Sequence, residues 1–269
     1  MSRPLLPAHS DAAWSDLRAL TRARIAQGRS GNGQRSAELL AFGVDHALAR
    51  DAVLLPLDVV ALRAELAQAG FEQVLELHSA APDRASYLMR PDLGRRLAAG
   101  QALAPLEGDI DLLPVLADGL SALGVQRYGV ALLRALRERM GEELRLGPVV
   151  IGRQARVALG DEIGERLGAR AVVMLIGERP GLSSPDSLGL YLTLGPRVGR
   201  SDAERNCISN VRADGLAPEE AARKLLWLLR AARRLGASGV ALKDQSDAPP
   251  GLVRDAGSPS PNGGPPSVA

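Results

Sequence analysis

Five short stretches of the chain, in four patterns, bring together residue types that could do chemistry. GRSGNGQR (28–35) sets glycines beside arginines, a composition that could cradle a phosphate. It follows a helical stretch rather than a strand and lacks the Gly-Lys-Ser/Thr ending of a P-loop. A helix end and connector with solvated arginines is therefore the favoured reading. IGERPG (176–181) comes directly after the apolar run AVVML. If that run is a strand, Glu178 stands beyond its carboxyl end, where open α/β sheets bind ligands. A carboxylate there accepts hydrogen bonds from amides or hydroxyls, and Gly177 and Gly181 would admit a ligand close to the backbone. A rigid turn with a Glu178–Arg179 surface pair fits the same residues. GERPG is not G-x-G-x-x-G, so the ordinary dinucleotide fingerprint is absent.

The third stretch, NCISN (206–210), holds Cys207, the one cysteine of the chain. A nucleophilic thiol needs a neighbouring base, yet the last of the three histidines is His78. Two other roles stay open for Cys207: a small, soft, half-buried residue, or one lining a ligand pocket beside Ser209 and Asn210. The fourth pattern recurs in LMRPDLGRR (88–96) and LADGLSALGV (116–125), which place Asp92 and Asp118 at expected helix starts. Capping and the helix dipole account for both. No paired carboxylates and no Ser-His-Asp set can be assembled, so no catalytic residue is assigned. One cysteine excludes an internal disulfide and a cysteine zinc site. His9, His46 and His78 show no metal-ligand spacing, so no metal residue is assigned either.

These stretches need elements to position them, and the texture of the chain supplies three regions. Residues 1–105 read as mainly helical. Trp14, Leu17, Thr21 and Ile25 share one face and predict a helix between Ser10 and Gly28. Others are expected from Ser36, from Asp58 to Gln68 and from Pro91, with a short strand at EQVLELH (72–78). Residues 106–244 alternate apolar runs with helical stretches: DIDLLPVLADGL, GPVVIG, ARAVVMLIGERPG and LGLYLTLG are the runs. They are continuous rather than alternating in polarity, which predicts an α/β domain with a parallel sheet flanked by helices. Residues 217–236 form the best helix, with Pro218 in its first turn, and SGVALKD (238–244) is expected to complete the sheet as a strand. Residues 245–269 are rich in Pro, Gly and Ser and are expected to be a disordered tail.

Composition narrows the function classes. With 46% hydrophobic and 24% charged residues in 269, the chain can build a sizeable core. Thirty-three Lys and Arg against 31 Asp and Glu leave a net charge of +2, and aromatics make up only 3%. A nucleic-acid partner, which favours one basic face and stacking platforms, is not expected. No apolar run approaches the roughly 20 residues of a membrane span. The start, MSRPLLPAHSDAAW, lacks the apolar core of a signal peptide, so a soluble intracellular protein is expected.

Taken together, several segments resemble the small subunit of ethanolamine ammonia-lyase. They are GRSGNGQRSAELLAFGVDHALARDAV (28–53), SYLMRPDLGRRL (86–97), ADGLSA (117–122), RVALGDEIGERLGARAVVMLIGERPGL (156–182) and the region from NCISN to SGVALKD (206–244). The resemblance runs from about residue 10 to 244, and GERPGL and RPDLGRRL are its most specific motifs. It implies a carbon–nitrogen lyase that turns ethanolamine into acetaldehyde and ammonia with adenosylcobalamin as radical cofactor. A TIM-barrel large subunit would hold the substrate, in a hetero-oligomer active only with both chains. The small subunit would add a Rossmann-like domain behind its helical N-terminal region and clamp the corrinoid against the barrel.

Three cofactor contacts carry over. Val157 of RVALGDEIG would touch the corrinoid, Glu178 would accept hydrogen bonds from its amides or hydroxyls, and Cys207 would line the pocket. None of the three would be catalytic. The implied location is the cytoplasm, with a bacterial microcompartment as the second possibility; some relatives carry a long N-terminal extension associated with packaging, and this chain begins almost at the shared core. Two other readings of the residues stay open, a stand-alone α/β corrinoid- or nucleotide-binding module and a thiol enzyme built on Cys207.

Overall fold

The computed structural model describes residues 11–247. Its N-terminal part supplies helices α1 (Asp11–Ala19), α2 (Ser36–Leu54), α3 (Val59–Gln68) and α4 (Arg84–Met89), with strand β1 (Val74–His78) between the last two. Then follow β2 (Leu113–Ala117), α5 (Ala122–Met140), β3 (Val149–Arg153), α6 (Leu159–Leu167) and β4 (Ala171–Gly177). The last elements are β5 (Leu188–Leu194), β6 (Arg205–Val211) and α7 (Pro218–Leu235). The described residues form one six-stranded sheet in the order β1-β3-β2-β4-β5-β6. The α/β class, the flanking helices and the helical N-terminal region are thus as expected.

The parallel sheet is only part of what is found. β1, β3, β2 and β4 run parallel, whereas β5 and β6 are antiparallel. A parallel return needs a crossover of a dozen or more residues, usually a helix. The segment 178–187 holds no helix, so the chain turns back beside β4 in the opposite sense. The sheet also takes its edge strand β1 from ahead of residue 105, pairing Val74 to His78 with Val149 to Arg153.

Each face of the sheet has its own core. Leu132, Leu133 and Leu136 of α5 and Leu225, Leu228 and Leu229 of α7 cover Val173, Leu175, Leu190 and Leu192. On the opposite face Ile163 and Leu167 of α6 pack with Val115, Val172 and Met174. Burial of each such side chain is worth about 1.5–3 kcal/mol. A salt bridge fixes α6 to the far edge of the sheet. Arg205, first residue of β6, donates from Nη1 and Nη2 to both oxygens of Asp161 in the first turn of α6, at 2.6 and 2.7 Å. Both side chains are 2% exposed, and Arg205 also donates to Thr193 Oγ1 and the Arg200 carbonyl.

Three local expectations are corrected. α1 ends at Ala19, well short of Gly28. Beyond Pro91 only a 3-10 turn forms, Leu93–Arg95, because Ala80 N–H to the Arg96 carbonyl and Ala98 N–H to the His78 carbonyl pull the chain out beside the end of β1. SGVALKD is not a strand: Gly239 has φ +80°, and the Asn206 side chain binds its N–H and the Gly239 and Leu242 carbonyls. A 3-10 turn, Gly239–Ala241, results. His9 and, from residue 248, the expected tail lie outside the described residues. Among the described residues no helix is long and apolar enough to cross a membrane.

The buried bridge generates a stability prediction. Asp161→Asn removes the two-fold carboxylate partner of the buried Arg205, leaving only its 3.3 Å contact to the exposed Asp202, and is expected to cost about 3–5 kcal/mol of unfolding free energy. The double replacement Asp161→Leu/Arg205→Met is expected to cost clearly less. Urea unfolding of the full chain measures both, and a single variant as stable as the double would contradict the assignment.

Candidate functional site

Alternation along β5 and β6 decides which side chains share a face. Leu188, Leu190 and Leu192 point into the α5/α7 core. Gly189, Tyr191 and Thr193 therefore face the α6 side. Across the antiparallel ladder Thr193 stands opposite Arg205 and Tyr191 opposite Cys207. The Thr193–Arg205 pair is covered by α6 through Asp161. The next pair, Tyr191–Cys207, lies beyond α6: Tyr191 is half-buried and Cys207 is exposed. One further step along β5 comes Gly189, where a Cβ would meet Glu178 Oε1 at 2.9 Å.

The result is a shelf on the sheet, flanked by the start of α6. Val157, two residues before α6, and Tyr191 both pack against the core beneath that helix. Glu178 leaves the end of β4 and lies over Gly189. Its Oε2 accepts from the Ser187 hydroxyl and from Asn210 N–H at 3.2 Å. Oε1 has no hydrogen-bond partner among the described residues, so one carboxylate oxygen is free to accept from a ligand. Asn210, with φ +61°, follows a register shift between β5 and β6 that aims its N–H at this carboxylate. Val157, Glu178 and Cys207, spread over 50 positions in sequence, thus all lie on the α6 side of the sheet.

The thiol at this site is not activated. Desolvation by its neighbours pushes the Cys207 thiol up, a hydrogen bond from Tyr191 pulls it down and the Glu178 charge adds to the rise, for a net upward shift. Burial and the Cys207 thiolate likewise hold the Tyr191 hydroxyl in its protonated form. A thiol with a raised pKa is protonated at neutral pH and is a poor nucleophile.

Other sequence candidates have structural employment. Gly177 does not open the backbone to a ligand, because a Cβ there would collide with the Ser121 carbonyl oxygen; the loop after β2 fills that space. Glu178 makes no surface pair with Arg179. Asp118 does not cap α5 but spans the sheet, accepting from Gln154 N–H at 2.8 Å and Ala155 N–H at 3.0 Å. Burial pushes its carboxyl up against those bonds and the nearby Arg84 charge. Asp92 caps nothing and pairs with Arg90. The 28–35 loop folds on itself through Ser30 and Gly33, and its hydrogen bonds reach none of the three shelf residues. What sequence reasoning missed is Tyr191, Gly189 and Ser187. The signal was present in LGLYLTLG, where leucines alternate with Gly, Tyr and Thr, leaving a non-aliphatic second face.

Residues 11–243 match the family model described as ethanolamine ammonia-lyase light chain (EutC). The chain belongs to this family. Ethanolamine ammonia-lyase small subunits are among its relatives: that of Xanthomonas campestris pv. campestris is 55% identical over 256 residues, 93% of each chain. Those of Pseudomonas fluorescens and Ralstonia nicotianae are each 53% identical, covering 91% and 88% of this chain and 91% and 90% of their own. The shelf is therefore a feature of an ethanolamine ammonia-lyase light chain.

The thiol is the most accessible probe of this geometry. Alkylation of Cys207, the only cysteine, is expected to have a pH midpoint above the ordinary thiol value of about 8.5. The pH dependence of iodoacetamide labelling measures it, and a midpoint at or below that value would contradict the environment described.

Proposed function

We propose that this light chain clamps adenosylcobalamin against a TIM-barrel large subunit that holds ethanolamine, the two chains together forming the lyase. What supports the reading is that Val157, Glu178 and Cys207 all lie on the α6 side of the sheet, with Glu178 over Gly189 and Cys207 opposite Tyr191. The chemistry of this shelf suits a broad, amide-fringed cofactor: Val157 and Tyr191 offer apolar contact, Cys207 a small soft surface, and Glu178 a free carboxylate oxygen. When bound, adenosylcobalamin supplies the radical chemistry that converts ethanolamine to acetaldehyde and ammonia. The residues of this chain bind and orient. Ser187 and the Asn210 N–H hold Glu178 so that Oε1 accepts from an amide or hydroxyl, while Val157, Tyr191 and Cys207 keep water off the apolar surface they cover. None acts as acid, base or nucleophile.

The partner has a surface of its own to cover. In α2, Leu39, Leu40, Phe42, Val44, Leu48 and Leu54 are exposed, and Ala52 is its one buried residue. Those side chains give α2 a broad exposed apolar surface, and surfaces of that kind mark interaction sites. We assign this surface to the large subunit. The single free cysteine suits a reducing compartment, the cytoplasm or a microcompartment within it.

Co-expression with a large subunit tests the reading. Adenosylcobalamin binding, followed by visible absorbance, and acetaldehyde release are expected from the complex and no turnover from this chain alone. Glu178→Gln is expected to weaken cofactor binding by about tenfold, as for a lost hydrogen bond to a charged group. Cys207→Ala is expected to retain turnover at saturating cofactor. Turnover by the isolated chain, or its loss with Cys207→Ala, would contradict the clamp; tight cofactor binding indifferent to the partner would favour a stand-alone corrinoid module.

A further inference from the structure

Outside the shelf, the loop from β3 to α6 that delivers Val157 is heavily constrained. Gln154, a residue with a side chain, sits at φ +51°, a conformation that persists only where the surroundings over-determine it. Four groups do so. Asp118 receives the N–H groups of Gln154 and Ala155. The fully buried Tyr87 donates its hydroxyl to the Ala155 carbonyl at 3.1 Å. Arg156 donates its N–H to the Gly94 carbonyl at 2.8 Å and its Nη2 to the Tyr87 carbonyl at 3.1 Å.

The fourth constraint is a stack. The Arg156 and Arg84 guanidinium carbons lie 4.3 and 4.7 Å from the centre of the Tyr87 ring. Arg156 Nε and Arg84 Nη2 are buried without hydrogen-bond partners; the electron-rich ring face compensates both, and the Asp118 carboxylate 4.0 Å from Nη1 adds to it for Arg84. Gly94 of RPDLGRRL permits the stack, because a Cβ there would stand 2.7 Å from Arg156 Cγ and 3.0 Å from Tyr87 Cε2. Arg84 extends it outward. Its Nε donates to the Val53 carbonyl in the last turn of α2 at 2.7 Å, and its Nη1 to the Gly119 carbonyl after β2 at 2.8 Å.

We propose that Arg84, Tyr87 and Arg156 are positioning residues that hold Val157 at the cofactor shelf and tie that position to α2. The inference rests on the cofactor-clamping reading of the shelf. It gives the RPDLGRRL segment a role that neither capping nor surface charge supplied: Gly94 is the spacer against which the stack closes. None of the three side chains is placed on the shelf itself. Their effect reaches the cofactor only through the loop.

The test uses the two-subunit complex and adenosylcobalamin itself, comparing Tyr87→Phe, Tyr87→Leu and Arg156→Lys. Tyr87→Phe keeps the ring face but loses the hydroxyl bond to Ala155, and is expected to raise the KM clearly less than Tyr87→Leu does. Tyr87→Leu removes the ring and Arg156→Lys the planar cation; each is expected to raise the KM for adenosylcobalamin by about tenfold with kcat at saturating cofactor within about twofold. A purely structural role would instead lower the yield of active complex and leave the cofactor KM of the surviving enzyme unchanged, which would overturn the inference. Arg156→Lys keeps a cation at a half-buried position and serves where Tyr87→Leu fails to fold. If the wild-type complex itself binds no adenosylcobalamin, the clamp reading falls and this inference with it; wild-type binding with an unchanged KM in both variants defeats the stack alone.

Discussion

The geometry of the site depends on one buried ion pair. Arg205 opens β6 and Asp161 opens α6, and their two-fold hydrogen bonding crosses from the sheet edge to the helix with both side chains out of water. Burying two charges is costly unless the geometry is close to ideal and the remaining donors are occupied. Here Thr193, the Arg200 carbonyl and Asp202 take up the other guanidinium protons. Arg205 and Cys207 are two residues apart on one strand and so share a face. The same pair therefore ties the start of α6 to the strand that carries Cys207. An apolar contact in its place would hold the elements together without selecting one register.

At the carboxyl ends of β2 and β4 an open α/β sheet commonly leaves a crevice. This chain closes it. Gly177 and the loop after β2 approach so closely that no side chain fits between them, with Leu120 N–H bonded to the Gly177 carbonyl at 2.9 Å. The proposed cofactor contact lies instead on the face of the two antiparallel strands, where α6 reaches Arg205 through Asp161. Glu178 leaves the closed crevice and turns onto that face, held by Ser187 and Asn210. A flat, wide cofactor fits a sheet face better than a narrow cleft between strand ends.

Much of the fold was legible in the sequence, for definite reasons. Continuous apolar runs marked β2, β3 and β4, because strands buried on both faces have no polar side. Pro218, the paired glutamates and Gly236 bracketed α7 closely. β6 was not legible as a strand: RNCISNV buries an arginine that only its ion pair with Asp161 explains, and no local pattern announces a partner 44 residues upstream. SGVALKD has the composition of a strand, but the side chain of Asn206 imposes a turn. Of the candidate site, Glu178 and Cys207 stood out from the residues themselves as ligand-facing candidates, and Val157 was named through the family resemblance alone. Tyr191 was visible only as one face of an alternating strand, and the Arg84–Tyr87–Arg156 stack is assembled from segments about 70 residues apart that carry no common local signal.

The central claim is that the shelf between α6 and β6 is where this light chain meets adenosylcobalamin. Hydrogen–deuterium exchange on the two-subunit complex, with and without adenosylcobalamin in the dark, tests it most directly. The account predicts cofactor-dependent protection concentrated in residues 154–158, 178–191 and 205–211. Protection centred instead on the 28–35 loop, with those three segments unchanged, would contradict it.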